Sequence, residues 1–238
     1  VLIRQARHGV VLTGRNRNVV IADCHIYDNR GVGVLLENLN LHQINISGSH
    51  ISYNRGGGVV IRRSEVRNIQ IGASDIEANQ GRDGEEAANI LFDARQGSIL
   101  EGAISGCTVQ HQHEAAGSAN IRFLGRGPDD VNKVGNFLIT GNALSDVRAN
   151  IHLRYARGVV ISANTFLKGY DHHLLAQGCS NILVGVNNMD RNPDYKAGQS
   201  ADRVVFEDST DSTIDGLQMN RAGEASPSLI LRRCRRFQ

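Results

Sequence analysis

The sequence predicts an all-β chain wound as a right-handed parallel β-helix of about eight or nine coils, one solenoid domain over residues 1–238. Three observations carry this. Ile44-Asn45-Ile46-Ser47-Gly48-Ser49-His50-Ile51-Ser52-Tyr53-Asn54 aligns with Ile69-Gln70-Ile71-Gly72-Ala73-Ser74-Asp75-Ile76-Glu77-Ala78-Asn79 at a spacing of 25. Short, alternating, Val- and Ile-rich strands recur in two sets. Asn, Ser or Cys recurs at one bend of every copy, where stacked amides can bond along a column. Hairpins would not hold so even a period, whereas stacked coils place each strand beside its own copy, in parallel.

The elements follow in order. The first strand set reads Val19-Val20-Ile21, Ile44-Asn45-Ile46, Ile69-Gln70-Ile71, Phe137-Leu138-Ile139, Val159-Val160-Ile161 and Ile182-Leu183-Val184. The bend column reads Cys24, Ser49, Ser74, Cys107, Asn142, Asn164 and Asn187. There, Asn is expected to take the left-handed backbone of a tight turn. The second strand set runs Val34–Glu37, Val59–Arg62, Ile90–Asp93, Ile121–Leu124, Ile151–Arg154, Leu174–Gln177, Val204–Glu207 and Leu229–Arg232. Alternation sends Val34, Val59, Ile90, Ile121 and Ile151 inward and the residues between outward.

Composition limits the function classes. A net charge of +2 gives no field that would mark a nucleic-acid or membrane-surface binder. No apolar run reaches the roughly 18–20 residues of a bilayer span. Val1-Leu2-Ile3 already reads as strand, so we expect a fragment of a longer protein, or a partner over the first coil. Cys24 and Cys107 fall three coils apart and Cys179 and Cys234 two, too far for disulfides.

On these repeats the chain resembles the pectate-lyase-like superfamily of right-handed β-helices. The resemblance implies a binding groove on one sheet, framed by longer loops, with long polysaccharide as ligand. It also implies an extracellular, periplasmic or virion-surface location, and makes a homotrimer a natural assembly. It does not single out one reaction, since lyases, hydrolases, epimerases, tailspikes and adhesins share the fold.

Loops mark the second strand set as the functional face. The segments beside it swell at Gln80–Ala88, His111–Ala119, Met189–Ala201 and Met219–Pro227, and Gly125–Gly135 leaves its other end. Two outward features are expected. Val11, Leu35, Val60 and Leu91 form an apolar stripe that calls for a cover, either missing N-terminal chain or another subunit. Arg122, His152, Arg154, His173 and Gln177 form a polar patch, approached from loops by His111, His113, Asp171, His172, Asp194 and Tyr195, with Asn120 and Asn150 in a neighbouring outward column.

The chemistry expected there is uronate β-elimination. Arg122 or Arg154 would hold the carboxylate, and His152, His173 or Tyr195 would act as base or acid. Gln177, His111, His113, Asp171, His172, Asp194, Asn120 and Asn150 would contact the sugar. Asp171-His172-His173 partly resembles the Asp-Pro-His-Glu motif of alginate epimerases, without its Pro and Glu. Hydrolysis would need a carboxylate pair drawn from loop acids such as Glu114, Asp171 and Asp194. The alternative is a non-catalytic glycan-binding, tailspike-like or structural β-helix. No cofactor is required. Calcium could sit on Asp83, Glu85 and Glu86, or on Asp190 and Asp194. Zinc could use His111 and His113, or His172 and His173. His25, His42 and His50 read as ordinary surface residues.

Overall fold

The computed structural model describes residues 1–79, 81, 84–111, 115–189, 200–219 and 228–238. Every strand pairing in it is parallel, as coil stacking requires. Among the described residues, one sheet holds seven short strands: Leu2–Arg4, His25–Tyr27, His50–Ser52, Asp75–Glu77, Thr108–Gln110, Ala143–Ser145 and Thr165–Phe166. The two strand sets expected from the sequence form the other, sixteen-stranded sheet. They are continuous because Val10–Ala22 and Val34–Ser47 run unbroken from one set into the other.

The register follows the repeat. Val34, Val59, Ile90, Ile121, Ile151, Leu174 and Val204 stack coil on coil and are almost wholly buried. Rings fill the wide middle coils: Phe92, Phe123 and Phe137 meet at centroid distances of 5.0–5.2 Å. Each such side chain contributes about 1.5–3 kcal/mol by leaving water.

The bends are tied by two ladders. In the first, the N–H of Cys24 donates to Ser49 Oγ, Ser49 to Ser74, Cys107 to Asn142 Oδ1, Asn142 to Asn164 and Asn164 to Asn187, all at 3.0–3.2 Å. The left-handed backbone does not fall on the asparagines. It falls one residue earlier, on Gly141 (φ 67°) and Ala163 (φ 56°). The asparagine side chain is thereby free to serve the ladder. A second ladder runs Asn29, Asn54, Asn79, Asn89, Asn120 and Asn150, each Nδ2 donating to the next Oδ1 at 2.8–3.0 Å.

The apolar stripe is largely covered rather than exposed. Leu35, Val60 and Leu91 are 2–3% exposed. They pack with Val32, Ala88, Ala119 and Leu124 as a small second core outside the main one. The chain's own segments supply the cover, so these three residues call for no partner. Only Val11, at 51%, stays in solvent. No helix among the described residues is long and apolar enough to cross a membrane.

Candidate functional site

Stacking brings the expected patch together. Arg122 pairs in register with His152, and Leu124 with Arg154, which pairs in turn with Gln177 and then Glu207. The side chains form a hydrogen-bonded row across the coils. Arg122 Nε donates to His152 Nδ1 at 3.0 Å. A guanidinium can only donate, so Nδ1 is the acceptor and Nε2 carries the proton. That N–H donates to Gln177 Oε1 at 3.1 Å. Gln177 Nε2 donates to Glu207 Oε2 at 2.9 Å, and Arg232 donates to Glu207 Oε1 at 2.8 Å. The Gln177 and Arg232 bonds hold the Glu207 carboxyl below its usual range, against a smaller opposing effect of burial.

Burial changes what this row can do. Arg122 is 3% exposed, and its other donors go to the carbonyls of Gly84, Ala87 and Gly117. It clasps two loop segments down onto the sheet and is committed there rather than to a uronate. Desolvation lowers it to about 10, still charged at neutral pH. His152 is pushed down to about 3, first by desolvation and then by the Arg122 charge. It is a neutral, single-tautomer imidazole with both nitrogens engaged. Its expected role as base or acid is not supported by this arrangement.

Asn120 and Asn150 were expected to face outward. Both are fully buried ladder members. His173 is 2% exposed and ends the same ladder: Asn150 Nδ2 lies 3.2 Å from His173 Nδ1, and His173 Nε2 lies 3.6 Å from Asp202 Oδ1. The sequence places Asn120, Asn150 and His173 on the outward side, but the bend turns all three inside. Asp171, His172 and His173 do not converge. Asp171 lies 3.8 Å from Arg148, while His173 points into the ladder. His172 is lowered by burial, against the nearby Asp171. His111 stands elsewhere, beside Glu77 at 3.4 Å. His113, Asp194 and Tyr195 lie outside the described residues, as do Asp83, Glu114 and Asp190. Of the acids considered for calcium, Glu85 is paired with Arg95 and Arg154.

An open groove of about 750 Å3 lies beside the patch, at the end of the strands from which Gly125–Gly135 departs. Arg154, Tyr155, Arg157, Gln177, Asn181 and Asp211 line it, with Pro128 and Val131 as one wall. Its construction depends on glycine. A Cβ on Gly178 would meet the Tyr155 ring at 2.5 Å, and one on Gly125 would meet the Tyr155 carbonyl at 2.0 Å. The ring therefore lies on bare backbone, with the Arg154 guanidinium 5.4 Å from its centroid. Of these residues only Arg154 and Gln177 stood out in the sequence. The available signal was the long Gly125–Gly135 segment, which implied a wall without saying what it faced.

A second cluster was missed outright. His50 Nε2 lies 3.4 Å from Asp75 Oδ2 and 3.4 Å from Glu77 Oε1, on the outer side of the seven-stranded sheet. The repeat alignment already set His50 over Asp75.

These features define a right-handed parallel β-helix of the pectate-lyase-like type, with an open polar groove along its later coils. A family model described as right handed beta helix region matches residues 2–76. A second, described as periplasmic copper-binding protein (NosD), matches residues 85–226, and the chain belongs to that family. Similar solved structures include a threonine-to-asparagine mutant of the periplasmic alginate epimerase AlgG, at 14% identity and a TM-score of 0.56, covering 99% of this chain and 49% of that one. A double mutant of the same epimerase gives 15% and 0.52, covering 100% and 50%. The chain thus spans about half the length of those proteins, and the likeness is one of fold. No curated protein sequence matches it.

The family description raises copper. Among the described residues, the convergent set of three His, Cys, Asp or Glu ligand atoms is His50, Asp75 and Glu77, which precede the stretch matched by the copper-binding family. Imidazole and carboxylate suit Cu(II) rather than Cu(I), which prefers sulfur. Cys107 and Cys179 do not offer sulfur: both are buried and donate to backbone carbonyls, and burial pushes the Cys179 thiol up to about 12.

Proposed function

We propose that this chain binds a long polysaccharide along the groove lined by Arg154, Tyr155, Gln177 and Asn181, in an extracellular or periplasmic setting. The observation that carries the reading is the groove itself. Arg154 and Gln177 stand in register on adjacent coils, about 4.8 Å apart, so a linear polymer running across the coils can meet polar groups on each. The Tyr155 ring offers a stacking face, Arg154 and Arg157 offer donors to carboxylates or hydroxyls, and Gln177 and Asn181 offer amides. The alginate epimerase among the similar structures supports a uronate polymer as the first ligand to try.

Binding is favoured over proton abstraction at the Arg122–His152 row, because His152 is enclosed and both of its ring nitrogens are already engaged. Uronate β-elimination or epimerisation remains the second reading. What favours it is the half-buried Arg154 and Tyr155 pair, a cation beside a phenol at the groove.

Affinity electrophoresis in gels cast with uronate polymers tests both readings. The native chain is retarded, and Arg154→Ala and Tyr155→Ala each weaken retardation about tenfold while leaving the folded spectrum intact. Equal retardation of all three proteins would remove the groove from consideration. Appearance of unsaturated product, or of inverted sugar residues by NMR, would move the assignment from binding to catalysis.

A further inference from the structure

We propose that His50, Asp75 and Glu77 form a binding site for one divalent transition-metal ion of the zinc or copper(II) type. The site is built by coil register. His50 and Asp75 are direct partners on adjacent parallel strands, and Glu77 stands two residues along on the same side. One ligand atom from each lies within 4.8 Å of the others. The two 3.4 Å separations from His50 Nε2 match the edge of a tetrahedron with metal bonds of about 2.0–2.1 Å, which is about 3.3 Å.

Three observations point to a bound cation. Asp75 Oδ1 is shielded from solvent with no hydrogen-bond partner, a costly state for a polar atom, and His50 Nε2, also shielded, has only the two carboxylates within reach. Two carboxylates share one face of one short strand, and no lysine or arginine among the described residues pairs with either. The ligands are also held in place. The His25 ring stacks on His50 at 4.7 Å, nearly parallel at 9°. Gln110 Nε2 donates to Glu77 Oε2 at 3.1 Å and His111 Nδ1 lies 3.4 Å from the same oxygen, so Oε1 remains for the metal.

The mixed nitrogen and oxygen donor set favours a borderline ion over calcium, which takes six to eight oxygens. Three protein ligands leave a fourth position for water or an exogenous group. The His50 and Asp75 side chains are 39% and 43% exposed, which gives an ion a way in. The proposal stands apart from the glycan reading, since the groove and this cluster share no residue.

The test is Zn2+ titration of the chelator-treated chain by calorimetry, with Co2+ absorbance as the spectroscopic readout. One ion per chain and a tetrahedral cobalt band are expected. His50→Gln and Glu77→Gln each weaken binding at least tenfold, while His42→Gln binds as the native chain does. Zn2+ also protects His50 from carbethoxylation in the unaltered protein, read by mass spectrometry, which needs no variant to fold. The proposal is overturned if the native chain retains no Zn2+ or Co2+, if the double variant His50→Gln/Glu77→Gln binds equally well, or if His50 is modified equally with and without Zn2+.

Discussion

Below about pH 6.5 the unfolded chain protonates His152 while the folded chain does not, because burial and Arg122 push the folded value down to about 3. Neutral His152 therefore contributes stability above pH 6.5 that is lost as pH falls from 6.5 towards 3, at about 1.4 kcal/mol per pH unit. His152→Gln should flatten that part of the curve, measured as melting temperature against pH from 7 to 4. A parallel slope in both proteins would show His152 already exposed. Asn120 is a stricter case. Its amide accepts from Asn89 and donates to Asn150 and to the Ser145 carbonyl, with no exposure. Asn120→Ala leaves several buried groups without partners and should cost about 2–4 kcal/mol in denaturant unfolding.

Loops decide access at the scale of elements. Arg122 fixes the segments around Gly84–Ala87 and Gly117 against the sheet. Arg122→Met keeps much of the bulk and loses the clasp, so limited proteolysis should cut near those segments at least tenfold faster. Gly125→Ala drives a methyl into the Tyr155 carbonyl and displaces one wall of the groove. Weaker glycan retardation is expected, with the metal site untouched. The same scale separates what was legible in the sequence from what was not. Strand faces such as Val34 through Val204 were legible because alternation and period fix them together. The burial of His152, Leu35 and Asn150 was not, because the covering segments do not repeat. No pattern in the sequence says where a non-repeating loop folds back. The His50 cluster is different: His25, His50 and Asp75 share one column at a spacing of 25, and reading that column across coils would have found it.

Over the whole molecule, the solenoid sets the two proposed sites at different heights. The first coils are regular and carry the His50–Asp75–Glu77 cluster on their short-stranded sheet. The later coils carry the groove, where Arg154 and Gln177 follow one another in register. A core of stacked Ile, Val and Phe makes each coil depend on its neighbours. Phe123→Ala, between Phe92 and Phe137, should therefore destabilise the chain by about 3–5 kcal/mol in a single unfolding transition.

The most direct test of a polymer lying along the coils is a calorimetric titration with uronate oligomers of graded length. Affinity should rise steeply with each added sugar and level off once the oligomer outgrows the groove, with the rise largely lost in Arg154→Ala. A dimer that binds as tightly as a long oligomer, or a length series unaffected by Arg154→Ala, would contradict it.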